Sequence, residues 1–225
     1  MLAFILAMVA ASLVALPAYL LLFRPETEAG MSEALANLQY NGDYLFIAEL
    51  VTLLMVAGVM LLALGLRSGY PPRQYLAANR FTGKHLWTWL LILVGFIVAT
   101  DSLLYLVGKD PVSEWQRRLY ESAGCLPCMF FAIIILAPVI EETVFRGFVF
   151  TGIQARLGAF WAVVFASLPW AILHVQYEWY YMPIGLGLGV LFSLARWRSG
   201  SVLLCISLHT AANLIASMET VYSAL

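Results

Sequence analysis

Apolar residues run along this chain in long blocks, at positions 2–23, 44–66, 86–107, 125–150, 159–173, 181–195 and 201–218. About 20 residues of α-helix cross the hydrocarbon core of a bilayer. A segment inside lipid must satisfy its own backbone hydrogen bonds, so each block predicts a helix. The pattern predicts an all-α, polytopic transmembrane helix bundle of roughly seven spans. The fifth and sixth blocks are short, which predicts that one of them is tilted or re-entrant. The fourth contains Pro127 and Pro138. Proline removes a backbone donor and kinks a helix, so a kink is expected just before Glu141.

Composition sharpens this picture. Of 225 residues, 63% are hydrophobic and 11% charged, against about 25% charged in a soluble domain; mean hydropathy is +0.88. The net charge of −1 and the lack of a long basic stretch argue against a nucleic-acid partner. The first block has no positive leading region and no clean small-residue cleavage site, so it reads as a retained transmembrane helix. The length divides into N-terminal helices and loops (1–122), a core (123–218) and a short tail (219–225). No separate soluble domain fits.

The loops carry an orientation signal. Glu26, Glu28, Glu33 and Asp43 accompany only Arg24 between the first two blocks, whereas Arg67, Arg73, Arg80 and Lys84 stand between the next two without an acid. Arg156, Arg196 and Arg198 follow later blocks. By the positive-inside rule this alternation predicts a cytoplasmic N-terminus, with a bacterial inner membrane the expected host. The mixed segment 111–121 is expected along the interface. Cys125 and Cys128 have redox spacing but no βαβ context, and they read as small buried hydrophobes.

Ionisable groups within spans are costly and usually functional, and here they gather in the C-terminal spans. Glu142 and Arg146 lie four apart in the favourable order for an ion pair, which makes them supporting residues. Glu141 points about 100° away; desolvation makes a carboxylate a better proton acceptor, so Glu141 is the candidate base. His174 ends another span. His209 and Asn213 share one helix face, and two fixed donors can stabilise an oxyanion. A rise of about 1.5 Å per residue lets the three clusters meet. Glu49 and Asp101 are isolated acids without comparable partners.

The ordered set Glu141-Glu142-x-x-x-Arg146, Trp170-x-x-x-His174 and His209-x-x-x-Asn213 resembles the CPBP family of intramembrane proteases, which includes the type II CAAX prenyl endopeptidases and bacteriocin-processing or Abi-like relatives. The resemblance covers roughly residues 123–218. It implies that Glu141 and His174 activate a water, that His209 and Asn213 form the oxyanion site, and that Glu142 and Arg146 order the first motif. Phe usually opens the second motif, where this chain has Trp170. The implied substrate is a membrane-associated protein or peptide, with a prenylated, CAAX-like one among the candidates, cleaved near the cytoplasmic side.

The family is described both as glutamate-type and as metallo-type. Glu141, His174 and His209 could supply three zinc ligands, but no H-E-x-x-H helix is present and Asn213 suits an oxyanion donor. No tightly bound metal is therefore expected, with zinc as the alternative. A non-catalytic immunity or peptide-binding protein of the same fold is the rival class. A proton-relay transporter would require repeated halves, which the sequence lacks.

Overall fold

The computed structural model describes residues 2–23, 27–66 and 71–225. Among these the protein is all-α, with no strand. Its helices are α1 (Leu2–Leu22), α2 (Glu28–Ala36), α3 (Gly42–Gly65), α4 (Pro72–Tyr75), α5 (Gly83–Leu106) and α6 (Glu114–Ser122). There follow α7 (Leu126–Leu157), α8 (Ala159–Ile172), α9 (Met182–Ser199) and α10 (Val202–Ser223). Four of these, α3, α5, α7 and α10, are long and apolar enough to cross a membrane unaided, and Leu6–Leu22 and α8 are shorter apolar helices. Every apolar block of the sequence became one helix. Arg24, Glu26 and Arg67, counted above among the loop charges, lie outside the described residues.

The surface is inverted relative to that of a soluble protein. Leu54 and Leu61 are 72% and 71% exposed, while Glu142 and Arg146 are fully buried. Large apolar side chains facing out and ions facing in are what a lipid surround demands, and the chain is an integral membrane protein. α1 packs along α3, α8 against α9, and α10 runs beside α5, α7 and α9. The interfacial segment forms α6, started by a capping box in which Ser113 accepts from Gln116 N and Gln116 Oε1 accepts from Ser113 N. α6 is tied to the connection between α2 and α3 by the Trp115 Nε1 bond to Gln39 O (2.9 Å) and by Arg118 to Asn37 (2.8 Å).

The kink predicted in α7 takes the form of two π-helical turns, at Ala132–Leu136 and Thr143–Val149, flanking Glu141 and Glu142. Such wide turns frequently accompany functional sites, because they free backbone groups and re-aim side chains. Cys125 and Cys128, expected to be unpaired hydrophobes, are instead joined as a disulfide at the start of α7. The position explains it: residues one helical turn apart at a helix start bring their sulfurs together. Only Cys205 is a free, buried thiol.

Candidate active site

The three motifs converge from three helices, α7, α8 and α10. On α7, Glu142 Oε1 accepts from Arg146 Nη1 at 2.8 Å, as the four-residue spacing predicts, and both side chains are wholly buried. The same oxygen accepts from His209 Nδ1 of α10 at 3.0 Å. Arg146 reaches further, to Gly189 O at 2.9 Å and Ser193 Oγ at 3.4 Å on α9. Ser193 in turn meets Ser167 of α8 at 3.0 Å. One guanidinium thus links α7 and α9 directly, and the serine pair extends the network to α8. A buried charge needs partners of this kind to persist.

Glu141 faces a different set. Its Oε2 accepts the indole N–H of Trp170 on α8 and lies 3.9 Å from His174 Nε2. The last turn of α8 tightens: His174 N donates to Ala171 O at 3.0 Å, which leaves Trp170 O without its usual α-helical donor. His174 Nδ1 donates to that carbonyl at 2.8 Å. This bond places the proton on Nδ1 and leaves Nε2 as the nitrogen turned toward Glu141. Trp170 therefore orients both side chains, one through its ring and one through its backbone.

Asn213 is placed by a proline. Ala137 N donates five residues back, to Ala132 O; the same pattern would pair Ile133 O with position 138, where Pro138 has no N–H. Asn213 Nδ2 donates to Ile133 O instead, at 2.8 Å. One amide proton of Asn213 is thereby used and the other remains for the cavity. His209 is walled by Phe192, stacked at 5.2 Å, and by the edge of Trp170 at 5.5 Å. The register of α10 is set at its start, where Ser201 accepts from Leu204 N and donates to Asn79 O.

His174, His209 and Asn213 stand between two cavities. One is apolar and lies between α5, α9 and α10, with Phe96, Ile97, Ile184 and Leu188 on its walls. The other lies between α3, α6, α7 and α10 and contains Glu141 and Glu49. Glu49, isolated in the sequence, thus shares a cavity with the candidate base. Asp101 likewise gains a neighbour, facing Glu219 of α10 within hydrogen-bonding reach. Arg196 is not a loop charge: it is 5% exposed and donates to Arg146 O and Thr151 Oγ1, each at 3.0 Å. Its place one residue past the 181–195 block does not separate it in the sequence from Arg198, which is exposed.

The residues named for a metal do not form a ligand set. Among the described residues no three His, Cys, Asp or Glu side chains gather closely enough to hold an ion. Nδ1 of His209 is bonded to Glu142, Nδ1 of His174 to Trp170 O, and the Trp170 N–H covers one oxygen of Glu141, which leaves Nε2 as the open nitrogen of each ring.

Comparison with known proteins bears on the family. Residues 124–215 match the family model "Type II CAAX prenyl endopeptidase Rce1-like". The chain is 27% identical over 189 residues to the membrane-embedded CAAX protease MroQ of Staphylococcus aureus (strain USA300), covering 78% of this chain and 75% of that protein. An uncharacterized 24.3 kDa protein of Escherichia coli is 33% identical over 132 residues, 53% of this chain and 59% of its own length. The UPF0177 protein YxdF of Lactococcus lactis subsp. lactis (strain IL1403) is 30% identical over 101 residues, 42% of this chain and 55% of its own length. The chain thus spans under two thirds of the last two relatives. No solved structure matches it. Matched by the family model over residues 124–215 and aligned with a membrane-embedded CAAX protease, the chain bears out the CPBP resemblance carried by its three motifs.

Proposed function

We propose that this protein is an intramembrane endopeptidase that hydrolyses a peptide bond with a water activated between Glu141 and His174. The observation that carries the reading is the segregation of the two adjacent glutamates. Glu142 is locked with Arg146 and His209, whereas Glu141 faces a cavity with His174 Nε2 at 3.9 Å. Two proton acceptors so placed are both within reach of one water molecule.

In this reading Glu141 takes the proton from water and the resulting hydroxide attacks the substrate carbonyl. Negative charge then develops on the carbonyl oxygen. His209, fixed through Nδ1 by Glu142, turns Nε2 to that oxygen, and Asn213 offers its second amide proton. Fixed donors of this kind are worth most in a site shielded from water. Glu141 then returns the proton to the departing amine as the C–N bond breaks. The reading routes no step through a metal and is therefore glutamate-type. The apolar cavity supports a substrate that is membrane-associated, with an apolar or lipidated portion lying against Phe96, Ile97 and Leu188.

The test is cleavage of an identified substrate in proteoliposomes by wild type and by Glu141→Gln. The amide keeps shape and neighbours but cannot accept the proton. Loss of cleavage with retained folding is expected, and full activity in the variant overturns the reading.

A further inference from the structure

Both cavities lie toward the same end of the bundle. Gln116 of α6 and Tyr177 of the segment joining α8 to α9 line both, and Gln176 and Tyr181 of that segment line one each. The connections at that end are bonded into one cap. Glu114 N donates to Glu178, Tyr181 Oη to Asp110 O, and Gly124 N and Cys125 N both donate to Asp43, each at 3.0 Å.

The opposite end is closed. Asn79 Nδ2 donates to Gly200 O at 3.0 Å, Ser201 Oγ to Asn79 O, and Val202 N to Ala77 O at 3.0 Å. Ala77 adopts the left-handed region at φ 51°, a conformation costly for a residue with a Cβ, which presents its carbonyl to α10. Leu76 and Tyr75 press on Gly147 and Gly152 of α7, where a Cβ would come within 3.3 and 3.1 Å of them. No residue of 71–84, 156–158 or 198–202 lines either cavity.

The two ends also differ in charge. Among the described residues, the segments at the closed end carry Arg73, Arg80, Lys84, Arg156 and Arg198 with no Asp or Glu. The segments at the open end carry Glu28, Glu33, Asp110, Glu114, Glu121 and Glu178 against Lys109, Arg117 and Arg118. Short loops rich in Lys and Arg stay in the cytoplasm, which assigns the closed end to that side. Independently, the Cys125–Cys128 disulfide lies at the open end, and disulfides persist in oxidising compartments rather than in the cytoplasm.

We infer that the catalytic cavity opens on the non-cytoplasmic face, and that its substrate is a membrane-anchored peptide segment exposed on that face. This rests on the hydrolytic reading of the site. It departs from the sequence expectation of cleavage near the cytoplasmic side, because the cavities lie away from the basic loops. A prenylated tail presented from the cytoplasm does not reach the cavity in this orientation.

The experiment is labelling with a membrane-impermeant maleimide on intact spheroplasts carrying Trp179→Cys, Gln176→Cys or Arg73→Cys. Trp179 is 79% exposed at the open end, so its replacement leaves packing intact. Wild type is the blank, because Cys125 and Cys128 are paired and Cys205 is buried. Labelling of Trp179→Cys and Gln176→Cys without lysis, and of Arg73→Cys only after lysis, is the expected result. The reverse pattern, or equal labelling of all three, overturns the inference. The labelling is read whether or not the protein cleaves anything, so its failure is distinct from failure of the protease reading.

Discussion

Trp170 donates its indole N–H to the Glu141 carboxylate, and its backbone carbonyl holds His174 one turn further along α8. The position where the related motif has Phe is therefore not only an aromatic wall in this protein. It is the donor that orients the candidate base. A hydrogen bond to a charged group contributes about 1.5–3 kcal/mol. Trp170→Phe is expected to lower kcat by about tenfold or more, with KM nearly unchanged, in peptide-cleavage kinetics. An unchanged kcat would show that the bond does not orient the base.

Glu142 and Arg146 make a second, structural prediction. Both are fully buried, and Glu142 Oε1 takes both of the donors that reach it. Breaking such a pair by removing one charge costs about 3–5 kcal/mol. Glu142→Gln is expected to lower the thermal unfolding midpoint in detergent substantially, and to reduce activity by releasing His209. A midpoint equal to wild type would contradict the assignment of Glu142 as the anchor of the network.

Asn213 has two tasks, bonding Ile133 O and donating to the oxyanion. Loss of one oxyanion donor costs about 10²–10³ in kcat. Leaving a buried carbonyl unpaired costs about 1–3 kcal/mol. Asn213→Ala is expected to show both effects, a fall in kcat and a modestly lower unfolding midpoint. Loss of stability with full kcat would confine Asn213 to the backbone role.

The absence of a three-ligand cluster among the described residues predicts insensitivity to chelators. Cleavage is expected to survive prolonged dialysis against EDTA or 1,10-phenanthroline. Inactivation that zinc alone reverses would place a metal between residues that this geometry keeps apart.

Much of the fold was legible because lipid imposes a simple rule, about 20 apolar residues per crossing. The 201–218 block, for example, became α10 with its start displaced by one residue. The clusters were legible for the same reason, since Glu142, Arg146 and His209 stand out wherever polarity is expensive. Their mutual bonding was not. Whether His209 Nδ1 meets Glu142 or the cavity depends on how α10 is rotated against α7, and no spacing within one helix reports that. Asn213 illustrates the limit well: Pro138 is visible in the sequence, but the wide turn that orphans Ile133 O is not. Glu49 looked solitary because its cavity neighbour, Glu141, is far away in the chain. Arg196 looked like a loop cation because its burial comes from contacts with α7.

The most direct test of the central claim is cleavage of a panel of quenched fluorescent peptides, prenylated and unprenylated, by purified wild type and Glu141→Ala. Cleavage by wild type alone is the predicted result, and it would begin to define the substrate. Cleavage by both proteins would contradict the account, because the bond would then be broken without the base on which the site is built.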